Sequence, residues 1–499
     1  MSDPPPETQE EAPAPAEDVL AARRHKLERL RSRGIEPFAL RFDPDATVEE
    51  VRSRWGDIEA GASTRETVRV AGRLVGLRRL GKLWFGVLRD RTGDLQLFLA
   101  EDTLKDWDLL EDLDLGDWVG AEGEVVKTRR GELSVKPSSL TLLSKSLRPP
   151  PEKWHGLRDP ELKVRRRYLE FASEPQSRGL VRARAAILSA LRRELDGRGF
   201  LEVETPVLHG SAGGAIARPF VTHHRALDVD LYLRIALELY LKRLLVGGFE
   251  RVYEIGRIFR NEGIDRQHNP EFTMLEVYQA FGDYETMMEL GRALVTAAAR
   301  EVRGSLRFEY GGRELDLSGE WPRVTVLGSV SEAAGEEITL DRRDLAEVSG
   351  RHGIDVQPRW GPGKIVLELY EDLVERHLWN PTFVCDFPRE VSPLARPHRS
   401  DPGLVEHYDL VVAGMELIPA YSELSDPIEQ RRSFEIQRQA REAGEEETHP
   451  LDEDFLTALE YGMPPAGGLG LGVDRLLMIL ADVPTIREVI AFPAVRPEG

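Results

Sequence analysis

Residues 251–281, RVYEIGRIFRNEGIDRQHNPEFTMLEVYQAF, constrain the fold more than any other stretch of this chain. Val252, Ile255 and Phe259 supply the apolar positions of a first strand. Asn261, Gly263, Asp265, Asn269 and Pro270 are turn formers, so the polar middle reads as a loop. From Phe272 the pattern alternates by two. Phe272, Met274, Glu276, Tyr278 and Ala280 share one face, while Leu275 and Val277 point the other way, into a core. The face of this hairpin therefore offers an aromatic ring, then a carboxylate, then a phenol. At about 3.3 Å per residue, Phe272 and Glu276 stand roughly 13 Å apart, about the span of a nucleotide joined to a small substrate. Arg260 and Glu262 close one end of the loop, and His268 and Asn269 the other. On an arbitrary hairpin such charges mean only a solvated face.

At 499 residues the chain exceeds a single core and suggests two or three domains. Residues 1–16 are Pro, Glu and Ala without periodicity and read as a disordered tail. Residues 17–67 read as an N-terminal helical segment. Leu20, Leu27 and Leu30 line one side of its helix, and Arg23, Arg24, Lys26, Arg29, Arg31 and Arg33 cover the rest. Ahead of an RNA-binding domain, that basic face suits phosphate contact. Residues 68–147 hold short alternating strands punctuated by glycines, which suggests a small barrel of the OB type. Such barrels stack bases on aromatic rings and read their edges, so Phe85 and Gln96 are the candidate readers. Residues 148–175, with prolines at 149–151 and the basic run KVRRR at 163–167, read as a linker. A net charge of −20 argues against a general nucleic-acid coat but permits a partner met by local basic patches. Cys385 is the only cysteine, which rules out an intrachain disulfide and a cysteine metal cluster; in TFVCDF it reads as a buried structural thiol of a reducing cytoplasm. No run of 18 apolar residues and no apolar signal core argue for a membrane partner.

The second domain is expected over 176–499. Leu180, Ile187, Leu188, Leu191 and Leu195 make a helical stripe ended by Gly197 and Gly199, and residues 200–208 read as a strand whose Pro206 suits an edge or an interface. His223 and His224 look like metal ligands, but neighbours on a strand face opposite ways, so they read as structural. Residues 405–426 form a hairpin turning at Ala413 and Gly414. This makes Asp409 and Glu416 diagonal neighbours able to share a cation, with Tyr421 and Glu423 on one face further on. In GGLGLGVDRLLMIL, residues 467–480, the glycine spacing is GxGxG and not the dinucleotide GxGxxG. Gly468, Gly470 and Gly472 let backbone approach a phosphate or a purine, and Arg475 at the helix start could reach a triphosphate.

The string FRNEG…HNPEFTMLE resembles the second signature motif of class II aminoacyl-tRNA synthetases, the helix with Pro206 resembles the first, and the glycine-rich 467–480 the third. The three occur in family order. With RRLGKLWF in the barrel, KWHGLRD in the linker and the run from GGAIARPF onward, the chain from about residue 17 is similar to the bacterial lysyl-tRNA synthetases. The resemblance implies an α+β protein: an OB-fold anticodon-binding barrel followed by an antiparallel sheet flanked by helices, working as a homodimer. It implies lysine activation by ATP with Mg²⁺ and transfer to tRNA(Lys). Catalytic Arg260 and Arg475 are the implied fixed cations, with Glu262, His268, Asn269, Phe272, Gly470 and Gly472 around ATP and Asp409 and Glu416 holding the metal. The lysine side chain is expected at Glu276, Tyr278, Tyr421 and Glu423, its α-amino group near Glu238 and the Gly214 carbonyl, and the anticodon at Phe85 and Gln96. An ε-ammonium needs such carboxylates because burying it unpaired is costly. Two departures stand out. Ile418-Pro419-Ala420 replaces a Gly-Asn-Gly common in relatives, and Leu237 replaces a common proline, which reads as a packing change. The rival readings are a lysine ligase acting on a protein, whose relatives lack the barrel, and a catalytically dead tRNA-binding paralogue.

Overall fold

The computed structural model describes residues 16–150, 159–211, 213–442 and 449–496. The proposed tail, apart from residue 16, lies outside these residues, as does nearly all of KWHGLRD. The chain divides into two compact units, 1–157 and 158–499.

In the first unit, strands β1 (Ser63–Leu80), β2 (Leu83–Arg89), β3 (Asp94–Ala100), β4 (Trp118–Lys127) and β5 (Leu133–Ser144) close a barrel in the order β1-β2-β3-β5-β4. Alternation along each strand sends Val70, Leu88, Leu97, Val119 and Val135 inward. Helix α1 (Ala16–Ser32) buries Leu30 against this core, and α2 (Val48–Trp55) opens on a Thr47–Glu50 capping box. The basic face of α1 is only partly available for phosphate. Arg23 donates to the carbonyls of Leu115, Ser146 and Arg148, Lys26 pairs with Asp114 at 2.7 Å, and Arg29 and Arg33 both pair with Asp112. Arg24 and Arg31 remain exposed. Helix stripes alone cannot reveal such partners, which come from residues 112–115 before β4 and 146–148 after β5.

The second unit begins earlier than the linker reading suggested: short helices at Pro160–Arg165 and Arg167–Ser173 occupy the supposed linker. Eight strands form its main sheet: β6 (Leu201–Glu202), β7 (Arg251–Phe259), β8 (Glu271–Ala280), β9 (Arg323–Thr325), β10 (Thr382–Pro388), β11 (Leu404–Val412), β12 (Met415–Ser422) and β13 (Ala466–Gly472). Their order is β9-β10-β11-β12-β13-β8-β7-β6. The helices used below are α3 (Pro175–Gly197), α4 (Glu238–Val246), α5 (Tyr284–Arg303), α6 (Pro362–Leu373) and α7 (Val473–Ala481). One sheet face packs on helices: Leu275 and Val277 of β8, Leu410 of β11 and Leu471 of β13 share a core with Ile187 and Leu191 of α3, Leu290 and Leu294 of α5, and Leu476 of α7. Cys385 belongs to this core, and burial pushes its thiol up to about 12.

The strand expected over 200–208 is broken. Only Leu201 and Glu202 pair with β7, at the sheet edge. The reason lies beyond them: Thr205 spends its N–H and hydroxyl on the buried Glu254 carboxylate, which Arg234 also holds, and Pro206 has no N–H to give. The glycines at 467, 468, 470 and 472 lie on a central strand of the sheet, β13.

Candidate active site

The other face of the sheet carries the site. Register aligns Tyr278 of β8, Gly468 of β13, Tyr421 of β12 and His407 of β11 in one row across four strands. Glu276 stands opposite Gly470, and Asp409 opposite Pro419. The glycines of β13 leave this face hollow. A Cβ on Gly468 would come within 2.5 Å of the Tyr278 ring and would strike Glu423 as well. The hollow is a cavity of about 290 Å³, lined by Gly214, Glu238, Arg260, Glu276, Tyr278, Asp409, Glu416, Tyr421, Gly468 and Gly470 among others. A larger one, of about 720 Å³, lies elsewhere, between the helices of 160–183 and 480–488 and the end of α5, and shares no lining residue with the first.

Carboxylates line part of the site. Glu276 is buried; it accepts the Leu237 N–H at 2.9 Å and the Tyr278 hydroxyl at 3.2 Å. Burial pushes Glu276 from 4.5 up to about 7, against the pull of that backbone N–H. Leu237 is thus more than a packing change, since a proline there would have no N–H for Glu276. Gly214, at φ +91°, backs directly on Glu238: a Cβ there would lie 3.3 Å from the Glu238 Cβ. Glu423 does not reach the cavity. Its carboxylate fills the space that a side chain at Gly468 would take, fully buried against Lys242.

Two arginines join them. The Arg260 guanidinium sits 5.3 Å from the Phe272 ring centre and donates to the Ile235 carbonyl, and burial pulls it down from its ordinary value. Arg475 donates to the Glu416 carbonyl at 2.7 Å and to His268 Nε2 at 3.2 Å. His268 Nδ1 lies 2.7 Å from Asp265, so one tautomer serves both contacts. Glu262 is exposed in the same loop, and buried Asn269 donates its amide N–H to the Glu271 carbonyl, its oxygen having no hydrogen bond among the described residues. Asp474 beside Arg475 is an anchor: it accepts from Thr273 N and from Arg184 of α3, and so locks α7 to β8. Gly472 faces Met274 across the β13–β8 pairing, at the mouth of α7.

Asp409 and Glu416 come together as the hairpin reading expected, with Val411 opposite Glu416 and a bulge after Leu410. Burial, then the charge of Glu416, pushes the Asp409 carboxyl well above its usual range. Such a pair is relieved by a cation. No group of three His, Cys, Asp or Glu side chains is placed to hold a metal ion among the described residues. His223 and His224 belong to no such cluster either; His223 pairs with Asp230 on an exposed strand.

Sequence reasoning missed the supports of this pair. His407 Nε2 lies 2.9 Å from Asp409, and its Nδ1 2.9 Å from the Ser392 hydroxyl; burial holds the imidazole down at about 3, hence neutral. Its place two residues before Asp409, on the same strand face, was a readable signal. Glu375 takes the Glu416 N–H and is pushed up to about 8 by burial and by its acidic neighbours. It arrives from just beyond α6, and no local pattern announces that. Pro419, facing Asp409, puts an apolar ring into the cavity wall. In the barrel, Phe85 and Gln96 lie half-buried on the outer faces of paired strands. Phe85 packs edge-on to Phe98 at 5.4 Å, and Gln96 donates to Ser134.

Residues 159–496 match the family of class II tRNA synthetases (D, K and N), and residues 68–143 match the OB-fold nucleic acid binding domain. The chain is 50% identical to the lysine–tRNA ligase of Moorella thermoacetica over 487 residues, covering 96% of this chain and 98% of that one. It is 51% identical to that of a Synechococcus species (97% and 100% covered) and 45% identical to that of a Thermoanaerobacter species (97% of each). With the barrel, the sheet and the order of the three motifs all agreeing, the chain belongs to the class II tRNA synthetases of the D, K and N group, in the family of the lysine–tRNA ligases.

Proposed function

We propose that the chain activates L-lysine with ATP and transfers it to the 3′-terminal adenosine of tRNA(Lys). The observation that carries this is a cavity lined both by the buried carboxylates of Glu238 and Glu276 and by the Arg260 guanidinium. A lysine laid along it points its ε-ammonium at Glu276 and Tyr278, with Tyr421 and Glu423 beside them, and its α-amino group at Glu238 and the Gly214 carbonyl. Its carboxylate then lies by Arg260. A carboxylate oxygen attacks the α-phosphorus, the bond to the β-phosphate bridging oxygen breaks, and pyrophosphate leaves with that oxygen. The nucleophile is already ionised, so the site needs alignment and charge stabilisation, not a base. Arg260 and Arg475 supply the charge, Phe272 a stacking surface for adenine, and Glu262, His268, Asn269, Gly470 and Gly472 the remaining ATP contacts. Asp409 and Glu416 would hold Mg²⁺, whose charge neutralises phosphate oxygens when bound. The ribose hydroxyl of tRNA then attacks the lysyl carbonyl carbon and releases AMP.

Half-exposed Leu201, Val207 and Leu208 around Pro206 support a homodimer through the catalytic unit, and a buried thiol suits a cytoplasmic protein. No described helix is long and apolar enough to cross a membrane. Lysine-dependent ATP–pyrophosphate exchange, followed by tRNA charging, tests the reading. Exchange absent with lysine, or equal with aspartate or asparagine, overturns it.

A further inference from the structure

Lys242 takes no part in the chemistry above, yet it is the most deeply buried cation beside the site. Its side chain is fully buried on α4, one turn after Glu238, and its ammonium lies 2.5 Å from both Glu238 and Glu423. Lys242 is the cation that holds the Glu423 carboxylate, by charge and by direct contact. Burial pulls the Lys242 ammonium down, but the two glutamates more than offset it and leave it above its ordinary range. Glu276, Tyr278 and Tyr421 line the neighbouring cavity, where the Arg260 charge also acts on Glu276. His449, buried ahead of the helix Glu453–Glu460, is held at about 3 by burial and by Lys242, hence neutral.

The formal count is then simple. With all three carboxylates ionised, the form that two bound ammonium groups favour, Glu238, Glu276 and Glu423 bring three negative charges and Lys242 one positive, which leaves the pocket two positive charges short; without substrate, burial keeps Glu276 and Glu423 partly protonated. Free lysine carries two ammonium groups, and Arg260 remains for its carboxylate. We infer that Lys242 is a built-in counter-ion that sets this deficit, and so makes the pocket select an amino acid with two ammonium groups. A monoamino acid leaves one buried carboxylate without a partner, and a pocket lacking Lys242 has one carboxylate too many for lysine. Without the ammonium, Glu238 and Glu423 also repel and share a proton, so their positions are no longer fixed. The role is one of positioning and specificity, and it rests on the lysine-activating reading.

The test compares the full chain with Lys242→Met, Glu423→Gln and the double variant in ATP–pyrophosphate exchange, with thermal melting as the check on folding. Wild-type exchange is measured first: its failure with lysine removes the lysine reading itself, whereas the variants bear only on Lys242. Lys242→Met is expected to raise the lysine KM at least tenfold and leave the ATP KM within twofold. The double variant restores the count of two and is expected to recover much of that loss, binding lysine better than either single variant. A side chain that only fills space cannot be rescued by removing a second group. A lysine KM within twofold of wild type in Lys242→Met overturns the inference, as does a double variant no better than Lys242→Met. If Lys242→Met does not fold, the double variant is compared with Glu423→Gln; a lysine KM no lower in the double variant, or its own failure to fold, overturns the inference too.

Discussion

Single residues set the pH at which this site works. Glu276 at about 7 is largely protonated at pH 6 and cannot pair with an ammonium there; as pH rises through 7 it ionises. The lysine KM is therefore expected to fall between pH 6 and 8, until the substrate's own ammonium begins to titrate near 10. Leu237→Pro removes an N–H that favours the ionised form, so it should move this fall to higher pH, by up to about one unit for a hydrogen bond worth about 1 kcal/mol. Exchange measured across pH 6–8.5 checks both; an unmoved profile in Leu237→Pro removes the contact's role. Arg475→Ala is a plainer case. It deletes a cation held by the Glu416 carbonyl and His268, and should slow adenylate formation by about 10²-fold or more with the melting curve unchanged. Near-normal exchange would count against its role.

At the scale of elements, what was legible followed period and turn chemistry. The β7–β8 hairpin, the turn at Ala413 and Gly414 with its positive φ values, and the α3 stripe each announce themselves within a dozen residues. What was not legible depends on partners from elsewhere: the break at Thr205 needs Glu254, the basic face of α1 needs Asp112 and Asp114, and the burial of Glu423 needs Lys242. Strand β13 shows both sides. Its glycines were visible, but their reason is the row of large side chains on either flank. Gly468→Ala drives a Cβ into the Tyr278 ring and Glu423, so it should cost about 1–3 kcal/mol of stability and raise the lysine KM. Gly470→Ala meets the mobile tip of Met274 at 2.9 Å and should cost less. Denaturant midpoints for the pair check the order; equal values would mean that β13 shifts as a whole.

For the whole molecule, the useful fact is that barrel and catalytic sheet are separate compact units with separate cores. RNA reading and adenylate chemistry should then separate by mutation. Phe85 is not a core residue: Trp84 and Leu88 on either side of it point inward, whereas its ring stays half-buried against Phe98 on the outer face. Gln96 opens on the same face, on the neighbouring strand. The anticodon proposed for that face is rich in uridine, which stacks weakly, so an aromatic platform with an amide beside it suits it. Phe85→Ala should cost about 1–3 kcal/mol in tRNA recognition. Lysine-dependent exchange needs no tRNA and should not change. The comparison that decides is charging efficiency against exchange rate in the same variant. Charging alone falling supports the barrel as the reader. Both falling together would mean that the barrel's state is felt at the adenylate site, and neither falling would remove Phe85 from the anticodon surface.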